Sequence, residues 1–191
     1  MSRAVAGEAG TGLQRLRELL LDCGGLLAGL LAEPNGDSGR QPGGDGDALG
    51  PAVLAAAGPR AAGRREQYEL LVDAIYEGYL LHYSTPRVLA APEADLGLLA
   101  GDRLYAIGLA QLVALGDTEA VAELADTITL SALAHGADAP QLADAVWQAG
   151  ACAVGWGSSE AHRRAKQMVL AGDPGALDAM RTSVRRLPAP P

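Results

Sequence analysis

The stretch that decides the fold is PEADLGLLAGDRLYAIGLAQLVALGD, from Pro92 to Asp117. Leu96, Leu99, Leu104, Ile107, Leu109, Leu112 and Val113 spread round most of a helical circumference, and a helix apolar on all sides is normally buried. Pro92 stands where a helix accepts proline, in its first turn, and Gly116-Asp117 ends the segment and caps the next. The segment reads as the central helix of the chain. One carboxylate interrupts it: Asp102 has Leu98, Tyr105, Ala106 and Leu109 as its near neighbours. A charge in such surroundings has to be paired, hydrogen-bonded or protonated, because burying it alone is costly. Gly97, Gly101 and Gly108 lie near one another on the same helix. Each costs roughly 1 kcal/mol against alanine, yet together they let a second helix come close, so they read as a packing seam.

Composition carries the same reading to the whole chain. Apolar residues make up 49% of the 191 residues, while aromatics are only 4% and phenylalanine is absent. A core of that kind is built by close packing of alanine and leucine, both strong helix formers, and the class predicted is all-α. Length fits one domain. The formal net charge of −8 argues against a nucleic-acid surface, which needs clustered lysine and arginine. Cys23 and Cys152 stand far apart in apolar helical context and read as buried free thiols, which suits a reducing cytoplasm. The first residues lack the apolar run of a signal peptide. Leu19 to Ala32 is broken by Asp22 and a glycine pair and is too short to span a bilayer. A cytoplasmic protein without a transmembrane segment is expected.

Read in order, the chain divides into an N-terminal helix in 1–32, a linker in 33–65, a helical core in 66–187 and a tail in 188–191. Gly24 and Gly25 are placed to bend the first helix. Gly, Pro, Asp and Ser crowd residues 33–50, a composition that cannot bury a core. A short helix from Pro51 to Ala57 is stopped by Gly58-Pro59. Glu66 to Tyr83 forms a strong helix that ends ahead of Pro86. Further helices follow Asp117, Pro140, Ser159 and Pro174, each marked by glycine stops and polar or proline starts. The sum is a bundle of about six to eight helices.

Four groups of residues are candidates for chemistry or binding. Asp102, with Tyr105 one turn on, is the first; its structural alternative is an acid that merely satisfies a neighbouring Tyr, Arg or backbone group. Tyr76, Tyr79, His82 and Tyr83 gather in two turns of one helix ahead of Arg87, and suggest a ligand pocket or partner surface. Glu69, Asp73 and Glu77 form an i, i+4, i+8 acidic stripe, which on an acidic protein reads as a solvated face rather than a metal site. Arg163, Arg164 and Lys166 offer a basic patch, again most simply a solvated face. His135 and His162 lack a cysteine or second histidine at ligand spacing, so no zinc is expected. Ser158-Ser159 is explained by helix capping.

LLAGDRLYAIGLAQLVALGD, from Leu98 to Asp117, resembles the helix of trans-polyprenyl diphosphate synthases that carries an LAGD-x-L sequence before a long apolar run. VDAIYEGYLLHYSTPRVL, from Val72 to Leu89, sits where those enzymes have their first aspartate-rich helix and the arginines after it. The resemblance covers roughly Tyr68 to Ser131, about a third of the chain. It implies an isoprenoid-synthase-like helical bundle. Active members carry DDxxD clusters on two facing helices, whose magnesium ions clamp the allylic diphosphate. Leu80, Leu81, His82, Tyr83 and Ser84 stand where the first cluster belongs, and no second one follows. Without that clamp the departing charge is not stabilised. The pattern is similar to the non-catalytic component 1 of two-chain heptaprenyl diphosphate synthases. That likeness implies no catalytic residue, metal or cofactor of the chain's own, with magnesium only on a catalytic partner. It also implies an aspartate-rich partner subunit and a role in setting chain length for the menaquinone side chain. Two other readings stay open. One is a stand-alone helical interaction module with no isoprenoid role. The other is an unusual enzyme using Asp102 and the Tyr76–His82 cluster as an acid–base site.

Overall fold

The structure, a computed structural model, describes residues 3–32, 49–90 and 93–184, with side chains from residue 12 onward. Pro92, most of the 33–50 stretch and the 188–191 tail lie outside the described residues. Within them the chain is all-α, as composition predicts. The helices are α1 (Arg3–Cys23), α2 (Gly25–Gly29), α3 (Pro51–Ala57), α4 (Arg65–Tyr83) and α5 (Ala94–Ala114). They continue with α6 (Thr118–Gly136), α7 (Pro140–Trp156), α8 (Glu160–Leu170) and α9 (Ala176–Val184), and a 3₁₀ turn at Pro59–Ala61 follows α3. The β-type pairing among the described residues is one isolated bridge, Leu31 with Leu89.

Local chemistry sets the boundaries. Gly24 and Gly25 both take positive φ, 62° and 56°, which is why α1 and α2 are separate pieces. The Asp117 carboxylate accepts from the Ala120 N–H at 3.0 Å, and the Ser159 hydroxyl accepts from the His162 N–H at 3.1 Å. These are the N-caps of α6 and α8, and Pro51 and Pro140 open α3 and α7.

The centre of the bundle is α4. Every residue from Leu71 to Leu80 is buried, and α4 packs against α5, α3 and α1. Its Tyr68, Val72 and Ile75 share a core with Leu112 of α5, Leu124 of α6 and Trp147 of α7. The sequence pointed to α5 instead, and that is corrected here. Well under half of α5 is buried, and Leu99 and Val113 remain 62% and 57% exposed. Its apolar circumference has one neighbour side only: Gly97, Ala100, Gly101, Leu104, Gly108 and Leu112 face inward. Among the described residues α5 alone has the length and apolarity of a membrane span, and its glycine side lies on α4.

That glycine side is the predicted seam. A Cβ on Gly78 of α4 would sit 2.9 Å from the Gly101 carbonyl oxygen, and one on Gly108 would run into Ile75. Gly97 is buried on the same side. A second close approach was not anticipated. The linker expected over 33–65 includes α3, whose Pro51, Ala52, Ala55 and Ala56 are all buried. Small side chains let α3 lie against α4 and α7, with Gly58 backed directly onto the Gly155 backbone. A further core joins Leu130, Val146, Ala165, Val169 and Met180 across α6 to α9. Of the two cysteines, Cys152 is buried as expected and its thiol pKa is pushed up to about 12, whereas Cys23 is exposed.

Candidate functional site

The acidic stripe of α4 does not face water. Glu77 has 0% of its surface exposed, and Asp73 is also buried. Both are held by Arg87, in the segment between α4 and α5. Its Nε donates to Glu77 Oε2 at 3.0 Å, and one terminal nitrogen donates to Asp73 Oδ1 at 2.8 Å. The other donates to the Asp73 carbonyl, and the guanidinium lies 5.1 Å from the centre of the Tyr76 ring. Glu77 Oε1 meanwhile accepts the backbone N–H groups of Arg87, Val88 and Leu89 at 2.7, 2.8 and 3.3 Å. Burial works against the Arg87 charge, but Asp73 and then Glu77 outweigh it and leave the guanidinium more basic than usual. Glu69 completes the stripe by pairing with Arg15 of α1 at 3.3 Å. The stripe is a set of internal ties, and the three carboxylates are compensated by arginines that lie elsewhere in the sequence. Among the described residues no three of His, Cys, Asp and Glu come together as a metal site.

These ties position the N-terminal helices. With the segment 87–89 pinned to Glu77, Ala32 N–H reaches the Val88 carbonyl at 3.0 Å and Ala90 N–H reaches that of Leu30 at 2.8 Å. Arg17 of α1 donates to that Val88 carbonyl as well and to the carbonyl of Ala32.

Asp102, expected to be buried, is not. Its side chain is 72% exposed, and its Oδ1 lies 3.6 Å from His82 Nε2. The reason is the inward turn of the glycine side, which carries residue 102 round to the flank of α5. The remaining predicted site residues do come together. Tyr76 and Tyr79 stack at 5.6 Å, and both touch Trp147 of α7. The Tyr79 hydroxyl is 2.9 Å from His135 Nε2 on α6. Tyr83 lies flat on the His135 ring at 4.3 Å, and His82 meets Tyr105 edge-on at 5.3 Å. Burial raises the pKa of Tyr79 and of Tyr105 far above the usual tyrosine value, so both stay neutral.

This aromatic band bridges α4, α5 and α6 at the C-terminal end of α4. Beyond the Gly116 turn α5 packs chiefly on α4 and α6 chiefly on α7. Tyr105 and Leu109 of α5 and Val121 and Ile128 of α6 pack, partly buried, against the same core. A shallow groove runs along α6 past Ile128, Thr129, Ala132 and Leu133. Sequence reasoning found the tyrosines but missed His135 and Trp147 as their partners, which arrive from α6 and α7, far along the chain. The buried indole Nε1–H of Trp147 finds no acceptor among the described residues, so the ring is held there by packing.

The basic patch of α8 is largely spent internally. Lys166 binds Glu123 at 3.0 Å and Asp126 at 2.7 Å, and Arg163 binds Glu160. Glu123 also meets the buried His162 at 3.2 Å. Burial alone would raise the Glu123 pKa, but His162 and Lys166 together hold it down at about 2. At the opposite end of the bundle Arg60 pairs with Asp117 and Glu119, and the Tyr68 hydroxyl donates to Asp117. Those contacts fix the α5–α6 turn. Compared with known proteins, the chain matches no family model, no curated protein and no solved structure.

Proposed function

We propose that this chain is a non-catalytic accessory subunit of a two-component polyprenyl diphosphate synthase, acting in the cytoplasm on isoprenoid quinone side-chain synthesis. The observation that carries the reading is the fate of the α4 carboxylates. In the synthases that the sequence resembles, carboxylates on the corresponding helix hold magnesium for diphosphate departure. Here Asp73 and Glu77 both hold Arg87, and Glu77 also takes three backbone N–H groups. The glycine seam of α4 and α5 supports the same reading, because it builds a stiff helix pair without catalytic charge. Such a subunit contributes walls and contacts while a partner rich in aspartate ionises the substrate.

The test is reconstitution. The chain alone should incorporate no radiolabelled isopentenyl diphosphate. Added to the aspartate-rich synthase from the same cell, it should co-purify and change either the rate or the product length. No association and an unchanged product distribution would overturn the reading. A stand-alone helical interaction module is the second reading, favoured by the exposed apolar side of α5, which asks for a covering partner of any kind.

A further inference from the structure

We propose that the aromatic band carries a one-electron hole from the buried Trp147 indole through Tyr79 to the surface at Tyr83, with His135 taking the Tyr79 proton. The proposal is independent of the isoprenoid reading and rests on ring contacts and one hydrogen bond. The ring centres of Trp147 and Tyr79 are 5.0 Å apart, and those of Tyr79 and Tyr83 are 5.5 Å apart. Rings in contact exchange an electron without a barrier set by distance. Trp147 is 2% exposed and Tyr83 39%, so the series leads from the core to water.

Three features give the series its direction. First, the Trp147 Nε1–H has no acceptor among the described residues. An indole that loses an electron there has no base to take its proton, and stays a strongly oxidising radical cation. Second, the Tyr79 hydroxyl lies 2.9 Å from His135 Nε2. A phenol that loses an electron becomes a strong acid, so a neutral imidazole accepting at Nε2 takes the proton as the electron leaves. The Asp144 carboxylate acts electrostatically on both Tyr79 and His135, and favours the imidazolium so formed. Third, Tyr76 also touches Trp147, at 4.9 Å, but the Arg87 guanidinium lies over its ring at 5.1 Å. A fixed positive charge there opposes removal of an electron from Tyr76. Tyr79 is therefore the donor to the indole.

The steps balance. A one-electron oxidant, or light with dissolved oxygen as the electron acceptor, takes an electron from Trp147. Tyr79 returns one to the indole and passes its hydroxyl proton to His135, leaving a neutral phenoxyl and an imidazolium. Tyr83 then gives an electron to the Tyr79 phenoxyl, which recovers its proton from His135, while Tyr83 releases its own hydroxyl proton to water. A thiol in solution restores Tyr83 by donating a hydrogen atom. The buried indole is thereby spared lasting oxidation.

The chain has two tryptophans, so the test uses full-length Trp156→Phe protein, in which Trp147 alone remains. A flash of ultraviolet light absorbed by indole and not by phenol starts the series in aerated buffer, and transient absorption follows the indole and tyrosyl radicals. The indole radical should give way to a tyrosyl radical, and more slowly in deuterium oxide, because a proton moves with the electron. Tyr79→Phe should abolish the conversion and leave the indole radical to decay alone. His135→Phe, which keeps a ring against Tyr83, should slow it about a hundredfold, the lower end of what a positioned base contributes. A nitroso spin trap located by mass spectrometry should mark Tyr83 in the parent and Trp147 in Tyr79→Phe. Unchanged far- and near-ultraviolet circular dichroism checks that the variants keep the packing, and the isotope effect tests the parent without any further substitution. Conversion unaltered by Tyr79→Phe or by His135→Phe, a rate identical in deuterium oxide, or trap on Trp147 in the parent would each overturn the proposal.

Discussion

Replacing Glu77 by glutamine tests the internal tie on which the account of α4 depends. Glu77 is fully buried, its Oε1 takes three backbone N–H groups, and its Oε2 takes Arg87 Nε at 3.0 Å. Glutamine keeps the shape but turns one oxygen into an N–H₂ donor. If its oxygen serves the backbone N–H groups, its amide nitrogen confronts the Arg87 Nε–H, and the reverse orientation sets it against three donors. Breaking a buried ion pair by removing one partner costs about 3–5 kcal/mol. Asp73 continues to hold the guanidinium, so Glu77→Gln belongs near the lower end, about 3 kcal/mol. Glu77→Ala should cost more, because it also strands donors at about 1–3 kcal/mol each. Arg87→Met should destabilise comparably by leaving two carboxylates uncompensated, and the double variant should show a coupling of about 2 kcal/mol. Urea unfolding followed by circular dichroism measures all four, with a constant m-value confirming that stability alone has changed. A Glu77→Gln cost under about 1 kcal/mol, within the range of an ordinary surface change, would refute the reasoning.

Three further outcomes follow from packing and charge. Gly58→Ala should destabilise by roughly 2–3 kcal/mol, because its Cβ meets Gly155 backbone that cannot rotate away; a neutral result in urea unfolding would contradict the α3–α7 contact. Glu123 is held at about 2 against an ordinary 4.5, so its stabilisation is complete above the higher value and is lost as pH falls through that interval. Integrated over the interval it amounts to roughly 3 kcal/mol at most, and Glu123→Gln should flatten the acid limb of the stability–pH curve; identical limbs would contradict the α6–α8 tie. A thiol reagent at pH 8 should label Cys23 in the native chain and Cys152 only in denaturant, as mass spectrometry can read directly; native labelling of Cys152 would contradict the packing of α7.

Much of the fold was legible because helix punctuation is local. Gly24-Gly25, Ser84 ahead of Pro86, Gly116-Asp117 and Ser159 each act through their own backbone, and each stands at an observed boundary. The seam at Gly101 and Gly108 was legible too, since a glycine in an apolar helix has few other uses. The choice of central helix was not. α5 is more apolar than α4, but hydrophobicity records what a surface prefers and not what covers it. The reasoning applied to Asp102, that an acid among apolar neighbours must be compensated, applies better to Glu77. Glu77 lies in AIYEGYLL, where the residues on either side are apolar or aromatic. Its compensating charge, Arg87, comes from beyond the helix end, where periodicity carries no information about reach. The aromatic band was half legible for the same reason. Tyr76, Tyr79 and His82 share one helix, whereas His135 and Trp147 reach them only through the packing of α6 and α7 on α4.

The proposal is that this bundle serves a catalytic partner without ionising substrate itself. The most direct measurement is isopentenyl diphosphate incorporation by an aspartate-rich polyprenyl synthase from the same cell, assayed with and without the purified chain, with product lengths resolved. The account predicts no product from the chain alone and a changed rate or length distribution on mixing. Product made by the chain alone, or a partner indifferent to its presence, would contradict it.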